Sequence, residues 1–428
     1  MATAFKTDFE FAKQLDQKDP LIEFRSRFYI SEPNTIYLDG NSLGRLPHRT
    51  REILRHQVDH QWGTRLIRSW NEGWYERSSE VSKKLAHIIG ANEDEVITCD
   101  STSMNLYKLV YAAVKSCIGR TKIVSDDLNF PTDLYIIQGI VDQLGPDYEL
   151  VIARSGNNQT IDWQSLEKVI DQHTALVVLS HVAFKSAYMH DMEKVTQLVH
   201  QKGALMLWDL SHSAGAVPLS LNKSNVDFAV GCTYKYLNGG PGSPAYLYVK
   251  KELQDQLIPP TWGWFGDYDP FSFDLKYKPA SGIRKFLVGT PPVLSLEAIT
   301  PGLDISIEAG MDQIRAKSVL QTEYLIFLIE TFLTPLGFSI GSPRNSSNRG
   351  SHISIQHYES YRICKALINP KKDTTIVIPD FRKPDNIRIG ITPLYTSFKE
   401  IYMAVLRIKN IIINKEFELF SDELESVT

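Results

Sequence analysis

The chain has 428 residues, of which 43% are hydrophobic and 22% charged, and its formal net charge is -4. These values are typical of a soluble globular protein of roughly two or three domains with a large buried core. No long basic block occurs, which argues against nucleic acid or an anionic membrane as a partner. The four cysteines show neither a metal-binding spacing nor a disulfide framework, which favours a reducing compartment.

The N-terminal stretch, MATAFKTDFEFAKQLDQKD, carries acidic residues and has no apolar core of signal-peptide length. No apolar run in the sequence reaches the roughly 18 residues that a membrane span requires. These features predict a cytoplasmic protein without a metal site and without a membrane partner.

Helices and strands alternate from about residue 49. Helical spacing of apolar residues occurs in HRTREILRHQVDHQW, in ERSSEVSKKLAHIIG and near 161–171 and 191–202. STSMNLYKLVYAAVKSC begins with a serine and threonine cap, and PTDLYIIQGIVDQL has proline in its first turn. Strands are predicted at EVITC, KIVSD, YELVIA, ALVVLSHVAF, ALMLWDLS and VDFAVGCT. The alternation predicts an α/β fold with a mostly parallel sheet covered on both faces.

The pattern changes after GSPAYLYV. Residues 256–293 are rich in proline, glycine and aromatic residues, which indicates a long functional loop or a domain boundary. A helix near 294–335, bent or broken around Pro301 and Gly302, is followed by strands at SHISIQ, TTIVIP and NIRIG. Further helices are predicted near 358–368 and from Ser397. We therefore expect a large domain over 49–293, a small α+β domain over 294–428, and a segment, 1–48, that packs with the small domain.

Four side chains are predicted to meet at one edge of the large sheet. Ligands of such folds bind at the carboxyl ends of the parallel strands. Lys235, Asp209, Ser180 and Phe130 each follow a different predicted strand. A desolvated lysine can form a Schiff base, and a carboxylate beneath a pyridine nitrogen keeps that nitrogen protonated. Pyridoxal 5'-phosphate chemistry requires this lysine and this acid together.

The phosphate of such a cofactor needs an anion site of its own. The DSTSMN stretch supplies the hydroxyl groups of Thr102 and Ser103 and the N–H groups of a helix start, where the helix dipole favours negative charge. Tyr234 adds a hydroxyl group beside the lysine, and Phe130 can lie on the face of the ring.

Each of these residues also has a simpler interpretation. A lysine in a glycine-containing loop is usually a solvated turn residue, and Asp209 could cap a turn. His212 could be a satisfied polar residue, Arg388 could pair with a surface acid, and STSMN is an ordinary helix cap in most sequences. Their arrangement on one sheet edge is what favours a cofactor site.

With these residues in view, the chain resembles kynureninase, a pyridoxal-phosphate enzyme of tryptophan breakdown, and its bacterial form in particular. The matching segments cover nearly the whole sequence: YLDGNSLGRLP at 37–47, QWGTRLIRSW at 61–70, STSMNLYKL at 101–109, NFPTDLY at 129–135, WDLSHSAGAVPL at 208–219, TYKYLNGGPGSPAYLYV at 233–249, GWFG at 263–266, GTPP at 289–292 and RIGITPLYTSF at 388–398.

The resemblance implies the fold type I, aspartate-aminotransferase-like architecture and a homodimer with active sites at the subunit interface. Lys235 would hold the cofactor as an aldimine, Asp209 would pair with the pyridine nitrogen, and His212 would support that side of the ring. The other implied cofactor contacts are Thr102, Ser103 and Tyr234 at the phosphate, Phe130 on the ring, Asp133 and Ser180 in the site, and Trp264 and Thr290 from the neighbouring subunit.

The resemblance also implies the reaction, which is hydrolytic Cβ–Cγ cleavage of L-kynurenine to anthranilate and L-alanine. Lys235 and Tyr234 would move protons, and Arg388 would clamp the α-carboxylate of the substrate. Ser42 and Trp62, together with Thr290, would meet its aromatic end. The bacterial pattern at Trp62, Gly289 and Thr290 favours kynurenine over its 3-hydroxy form.

One stretch, HVAFKSAYMHDM, departs from the family pattern at FKSAY. The resemblance is therefore weaker for Ser180 and its loop than for Lys235 and Asp209. Two other pyridoxal-phosphate classes are alternatives on the same fold, a cysteine desulfurase or selenocysteine-lyase-like enzyme and an aminotransferase. The first class needs a mobile reactive cysteine, whereas the loop GSPRNSSNRGSH has none and Cys364 falls in a predicted helix. A non-enzymatic binding protein is the third alternative, although a decayed homologue would normally lose the lysine or the aspartate.

Overall fold

The computed structural model describes residues 5–371 and 374–423. The helices are α1 Phe9–Gln17, α2 His48–His56, α3 Arg77–Ile89, α4 Thr102–Ser116, α5 Pro131–Leu144, α6 Trp163–Val169, α7 Met192–Gln201, α8 Lys251–Gln254, α9 Val293–Ala309, α10 Met311–Phe332, α11 Ser360–Ile368 and α12 Phe398–Ile413. The strands are β1 Thr35–Tyr37, β2 Val96–Thr98, β3 Lys122–Asp126, β4 Glu149–Ala153, β5 Thr174–Ser180, β6 Leu205–Asp209, β7 Phe228–Gly231, β8 Tyr246–Val249, β9 Ser339–Ile340, β10 His352–Gln356, β11 Ile376–Ile378, β12 Asp380–Arg382 and β13 Asn386–Gly390.

The larger sheet has seven strands in the order β2-β8-β7-β6-β5-β3-β4. Its strands are parallel except β8, which runs antiparallel to both β7 and β2. Successive residues of a strand face opposite sides of a sheet. Val177 and Leu179 accordingly join one hydrophobic cluster, and Leu176 and Val178 join the other. Both faces are therefore buried, which explains the nearly unbroken apolar runs and confirms the predicted α/β class.

The smaller sheet is antiparallel, with the strand order β12-β13-β10-β9. It shares a hydrophobic cluster with α10, α11 and α12, and the N-terminal residues Ala12, Ile36 and Leu38 belong to the same cluster. β1 pairs in parallel with β11. The boundary between residues 293 and 294 stays a prediction. In the structure, helix α9 begins at this boundary and packs against α2 and α3.

The long helix predicted near 294–335 is broken, but not where the sequence placed the break. Pro301 lies inside α9, which continues to Ala309. The break comes at Gly310, whose φ of 77° falls in the region that favours glycine, and α10 starts immediately afterwards. Gly302 serves close packing instead, because an added Cβ would collide with the carbonyl oxygen of Leu237.

Most other predicted elements are confirmed, with small changes at their ends. Ser101 caps α4 and Pro131 begins α5, as their patterns predicted. The helix predicted through residue 62 ends as an α-helix at His56 and continues as a π-helical segment over Gln57–Arg65. The elements α1, α8, β1, β8, β9 and β12 had not been predicted. Within the described part of the chain, no helix is long and apolar enough to cross a membrane.

Candidate active site at the carboxyl edge of the large sheet

The loop after β7 holds Lys235 through backbone contacts on two sides. The N–H of Gly44 donates to the carbonyl oxygen of Tyr234 at 2.7 Å, and a Cβ on Gly44 would collide with the carbonyl oxygen of Lys235. On the other side, Gly302 of α9 lies against Leu237 in the same way. Both contacts need a residue without a side chain. The glycine of the NSLG segment is thus explained by its contact with the lysine loop.

The amine of Lys235 lies beside a buried histidine and two aromatic rings. Its Nζ is 3.0 Å from Nε2 of His212 and 5.9 Å from the ring centres of Phe130 and Tyr234. Burial, and then the charge of Lys235, lower the pKa of His212 well below its ordinary value. A neutral His212 accepts from the ammonium group at Nε2, which leaves its own proton on Nδ1, where no protein partner is present.

Asp209 ends β6 and presents a fixed carboxylate to the same space. Its Oδ1 accepts from the N–H of Ser211 at 2.9 Å and from the Ser211 hydroxyl at 2.6 Å. The hydroxyl of Ser180 lies 3.4 Å from Oδ2 and donates to Oδ1 of Asn129 at 2.5 Å. Ser180 therefore lies beside Asp209 on the next strand, with its proton engaged by Asn129, and does not line the cavity itself.

Asp133, in the first turn of α5, is a second buried carboxyl group at this edge. Burial, and then the neighbouring charge of Asp209, raise the pKa of Asp133 well above its ordinary value, and Lys235 opposes the shift. Its Oδ2 has no hydrogen-bond partner among the residues that the structure describes. Buried polar atoms are nearly always paired, so an unpaired one facing a cavity is expected where a ligand binds.

Thr102 and Ser103 lie in the first turn of α4, whose N–H groups have no partner within the helix and can bind an anion, except that of Met104, which donates to Oγ of Ser101. A lysine that sequence reasoning missed fixes the approach to this turn. Lys108 is fully buried and donates to Asp100 at 2.6 Å and to the carbonyl oxygen of Phe286 at 2.7 Å. In the sequence, Lys108 can be recognised only as a charged residue within the apolar face of a predicted helix.

Arg388, on β13, is 1% exposed and lies across the cavity from the lysine loop. It donates to the carbonyl oxygen of Phe184 and to the hydroxyl of Ser42, each at 2.7 Å, and it pairs with Asp380. The simpler interpretation of a surface ion pair is therefore wrong for Arg388. Phe184 belongs to the stretch that departs from the family pattern, and its ring also packs edge-on against Phe130 at 5.2 Å.

These residues surround a cavity of about 250 Å³, near the lower end of the range usual for small-molecule sites. The predicted residues that line it are Ser42, Thr102, Ser103, Phe130, Asp133, Asp209, His212, Tyr234, Lys235 and Arg388. The lining residues that had not been predicted are Asn41, Thr132, Ser211 and Arg382. An amine, carboxylates, hydroxyl groups and an arginine thus face one cavity.

Besides Ser180, three further predicted site residues do not line this cavity of their own chain. Trp62 is 56% exposed, Trp264 is 38% exposed and Thr290 is also exposed. A site completed by a second chain would bring such residues in from outside, and this is how the resemblance places Trp264 and Thr290.

The residues around the cavity fit pyridoxal phosphate. The primary amine and the supported carboxylate lie on one side, and the open helix start with hydroxyl groups supplies an anion site. Oδ2 of Asp133 and Nδ1 of His212 are buried polar atoms that a ligand with polar substituents would satisfy. No group of three or more metal-ligating side chains occurs within the described ranges.

Comparison with known proteins decides the family. Residues 314–408 match the family described as "Kynureninase C-terminal domain". The chain is 42% identical over 406 residues to kynureninase of Pseudomonas fluorescens, with 94% of each chain covered. It is also 42% identical over 408 residues to kynureninase of Burkholderia mallei strain SAVP1, covering 94% of this chain and 95% of the relative. The chain belongs to the kynureninase family.

Solved structures confirm the fold type I architecture of this kynureninase family member. Apo cysteine desulfurase from Thermococcus onnurineus NA1 superposes with a TM-score of 0.75 at 19% identity, covering 96% of this chain and 100% of that one. The cystine C–S lyase C-DES, in complex with cysteine persulfide, gives a TM-score of 0.76 at 16% identity, covering 88% and 98%. C-DES has also been solved with glycine covalently linked to its PLP cofactor.

The cysteines of this family member argue against desulfurase chemistry. Cys364 lies on α11, is 1% exposed, and burial raises the pKa of its thiol well above the ordinary value. A buried protonated thiol is a poor nucleophile. The desulfurase likeness is therefore one of fold, at an identity too low to carry an activity.

A second titratable carboxylate lies beside Arg388, with Oδ1 of Asp39 at 3.9 Å from its Nη2. Burial, and then the charge of Asp380, raise the pKa of Asp39 to about 6. The folded state therefore binds this proton more tightly than the unfolded chain does. The stability that Asp39 contributes is present below about pH 4 and is lost as the pH rises through about 6.

We expect Asp39→Asn to lose no stability as the pH rises through this range, because asparagine resembles the protonated form of Asp39. Relative to wild type, the variant should gain up to about 3 kcal/mol of stability between about pH 4 and pH 8. Unfolding midpoints of both proteins, measured across this range, test the expectation. A difference that stays constant with pH would contradict it.

Proposed function

We propose that the protein hydrolyses the Cβ–Cγ bond of L-kynurenine to give anthranilate and L-alanine, with pyridoxal phosphate as cofactor, in the cytoplasm. The observation that carries the proposal is family membership at 42% identity over 94% of the chain, joined to a cavity with Lys235, Asp209 and Arg388 on its walls. The cysteines, which are free of disulfides, agree with a reducing compartment.

The cavity divides into two parts by chemistry. We assign Lys235 to the cofactor aldehyde, Asp209 to its ring nitrogen, and the start of α4 with Tyr234 to its phosphate. Phe130 supplies an aromatic face beside the amine. When bound, the cofactor supplies an electron sink that stabilises negative charge developing at the substrate Cα.

The protein's own groups move the protons. The amine of Lys235 would act as the base for the proton at the substrate Cα, and a neutral His212 at 3.0 Å can accept a hydrogen bond from its ammonium form. Burial raises the pKa of Tyr234 above its ordinary value, so its phenol stays protonated near neutral pH and can donate a proton near the scissile bond. Each such group typically contributes about 10²–10⁴-fold in rate.

Arg388 provides the anchor for the substrate. Its guanidinium is planar and permanently charged, which suits a carboxylate better than an ammonium group does. It shares the cavity with Lys235, so a carboxylate held at Arg388 sits in the same enclosed space as the base. Ser42 and Trp62 are assigned to the aromatic end of the substrate, together with Thr290 of a second chain.

The direct test is incubation of the holoenzyme with L-kynurenine, with anthranilate followed by fluorescence and L-alanine measured in the same samples. We expect the two products in equal amounts, and 3-hydroxykynurenine to be a poorer substrate. Absence of anthranilate, with release of sulfide from L-cysteine, would favour the desulfurase alternative.

A homodimer is the second part of the proposal, and exposed apolar side chains support it. Trp262, Tyr268, Phe271 and Phe273 are all more than half exposed within residues 262–273, next to Trp264. Apolar patches of this kind on a globular protein usually mark an interface. A second copy is the occupant that would also carry Trp264 and Thr290 into the site.

We expect two inactive variants, Lys235→Ala and Trp264→Ala, to restore activity when their subunits are exchanged. A hybrid dimer would hold one intact site, so about a quarter of the sites should be recovered after random reassociation. Mixing Lys235→Ala with Asp209→Asn is the matched control, because these two residues belong to the same cavity and no hybrid site is intact. Equal recovery in both mixtures, or a monomer in light scattering, would contradict the shared site.

A further inference from the structure

The guanidinium of Arg388 is almost fully engaged by the protein. Both Nη2 protons are used, by the Ser42 hydroxyl at 2.7 Å and by Asp380. Nη1 donates to the carbonyl oxygen of Phe184 at 2.7 Å. With its amide oxygen turned toward the arginine, Asn41 accepts from Nε at 2.8 Å. Neither edge of the guanidinium therefore offers two free parallel N–H groups, which a bidentate carboxylate needs.

Among the contacts of Arg388, Asp380 is the one that a ligand carboxylate can replace with the same chemical group. It stands directly opposite Arg388 in the register of β12 and β13, and it is 5% exposed. The carbonyl oxygen of Phe184 belongs to the main chain, and Ser42 is neutral. Of the two carboxylates beside Arg388, Asp380 is the one in hydrogen-bond contact with it, whereas Asp39 lies 3.9 Å away.

A displaced Asp380 has a second cation within reach. Its Oδ2 lies 2.8 Å from Nε of Arg382, whose side chain is 37% exposed and lines the same cavity. Within the part of the chain that the structure describes, the terminal nitrogens of Arg382 contact no acceptor. This second arginine matters because a buried carboxylate left without a partner would be strongly destabilising.

We propose that Asp380 is shared between Arg388 and Arg382 before substrate binds and pairs with Arg382 alone when an α-carboxylate takes its place at Arg388. The inference rests on the proposed function in one respect, the assignment of Arg388 to the α-carboxylate. Asp380 keeps the buried guanidinium paired in the empty site, and Arg382 keeps Asp380 paired in the filled one. Neutral amines and amides cannot replace the charge of Asp380, so the exchange selects ligands with a free carboxylate.

The exchange predicts opposite effects for its two members. Asp380→Asn removes the competing charge while Phe184, Ser42 and Asn41 still hold Arg388, so anions should bind more tightly by several-fold. Arg382→Gln removes the cation that pairs with the displaced carboxylate, so anions should bind about tenfold more weakly because a charge partner is lost. Arg382→Lys keeps the charge and should restore most of the affinity.

The decisive experiment is a double-mutant cycle on L-alanine binding, followed by the absorbance change of each holoenzyme on titration. In the Asp380→Asn background, Arg382→Gln should have almost no effect, because no carboxylate then needs a new partner. An undiminished Arg382→Gln defect in that background would show that Arg382 binds the ligand itself and would overturn the proposal. Weaker L-alanine binding by Asp380→Asn would overturn it as well, because Asp380 would then only orient Arg388.

Two measurements keep these outcomes interpretable. Unfolding midpoints identify any variant that is merely unstable, and Asp380→Ser replaces Asp380→Asn if that variant does not fold. L-alanine binding does not depend on kynurenine cleavage. A wild-type enzyme that fails to produce anthranilate would therefore remove the proposed function while leaving the coupling between Asp380 and Arg388 measurable.

Discussion

Replacing Lys235 by alanine should abolish turnover of L-kynurenine. The substitution removes both the amine that attaches the cofactor and the base at the substrate Cα, so we expect a loss of at least about 10⁴-fold. Anthranilate fluorescence gives the rate. Mass spectrometry after borohydride reduction gives an independent result. The wild-type protein should gain the mass of the cofactor, and Lys235→Ala should not.

The matched control is Lys168→Ala, on the exposed side of α6, which should behave as wild type in both measurements. The loop around Lys235 is held by backbone contacts to Gly44 and near Gly302, so the variant should fold. A Lys235→Ala protein that is correctly folded and within tenfold of wild-type turnover would remove Lys235 from the reaction.

Asp209→Asn should have the second largest effect. Asparagine keeps the shape of the side chain and can still accept from Ser211, but it lacks the negative charge that keeps a pyridine nitrogen protonated. We expect turnover to fall by about 10³-fold, while cofactor affinity changes much less. Exchange of the α-proton of L-alanine in deuterated water, followed by NMR, isolates the proton-transfer step.

Ser180→Ala serves as the comparison for Asp209→Asn. Ser180 lies 3.4 Å from Asp209 and outside the cavity lining, so its loss should slow the exchange by less than about tenfold. If Asp209→Asn exchanges the α-proton of L-alanine as fast as wild type with cofactor bound, the role given to Asp209 is wrong.

The large sheet could be predicted because its signal is local. Strands buried on both faces must be apolar at nearly every position, as β5 is, and a serine or proline marks the starts of α4 and α5. The break between α9 and α10 was misplaced at Pro301. A proline next to a glycine is a strong breaking signal, but Gly302 is needed where α9 touches the lysine loop, and this contact is not local in sequence.

The centre of the site was predictable because it depends on the order of the strands. Its surroundings depend on contacts that the sequence pattern does not show. Lys235, Asp209 and Phe130 follow strands that end at the carboxyl edge, so topology alone brings them together, whereas Asp133 was expected from the resemblance only. Asp380 and Arg382 depend on how β12 pairs with β13, and neither the strand β12 nor its register was apparent in the sequence. Trp264 and Thr290 lie outside the cavity of their own chain, and the place proposed for them depends on a second chain, which no pattern within one chain specifies.

The two glycines on either side of the lysine loop bear on the order of folding. Gly44 comes from the N-terminal part of the chain and Gly302 from a helix far downstream, yet both must dock before the segment between Tyr234 and Leu237 is fixed. Contacts so distant in sequence form late, because closing long loops is entropically unfavourable. We therefore expect the reactive amine to mature only in the last stage of folding, so that nascent or incomplete chains cannot capture free aldehydes at this position.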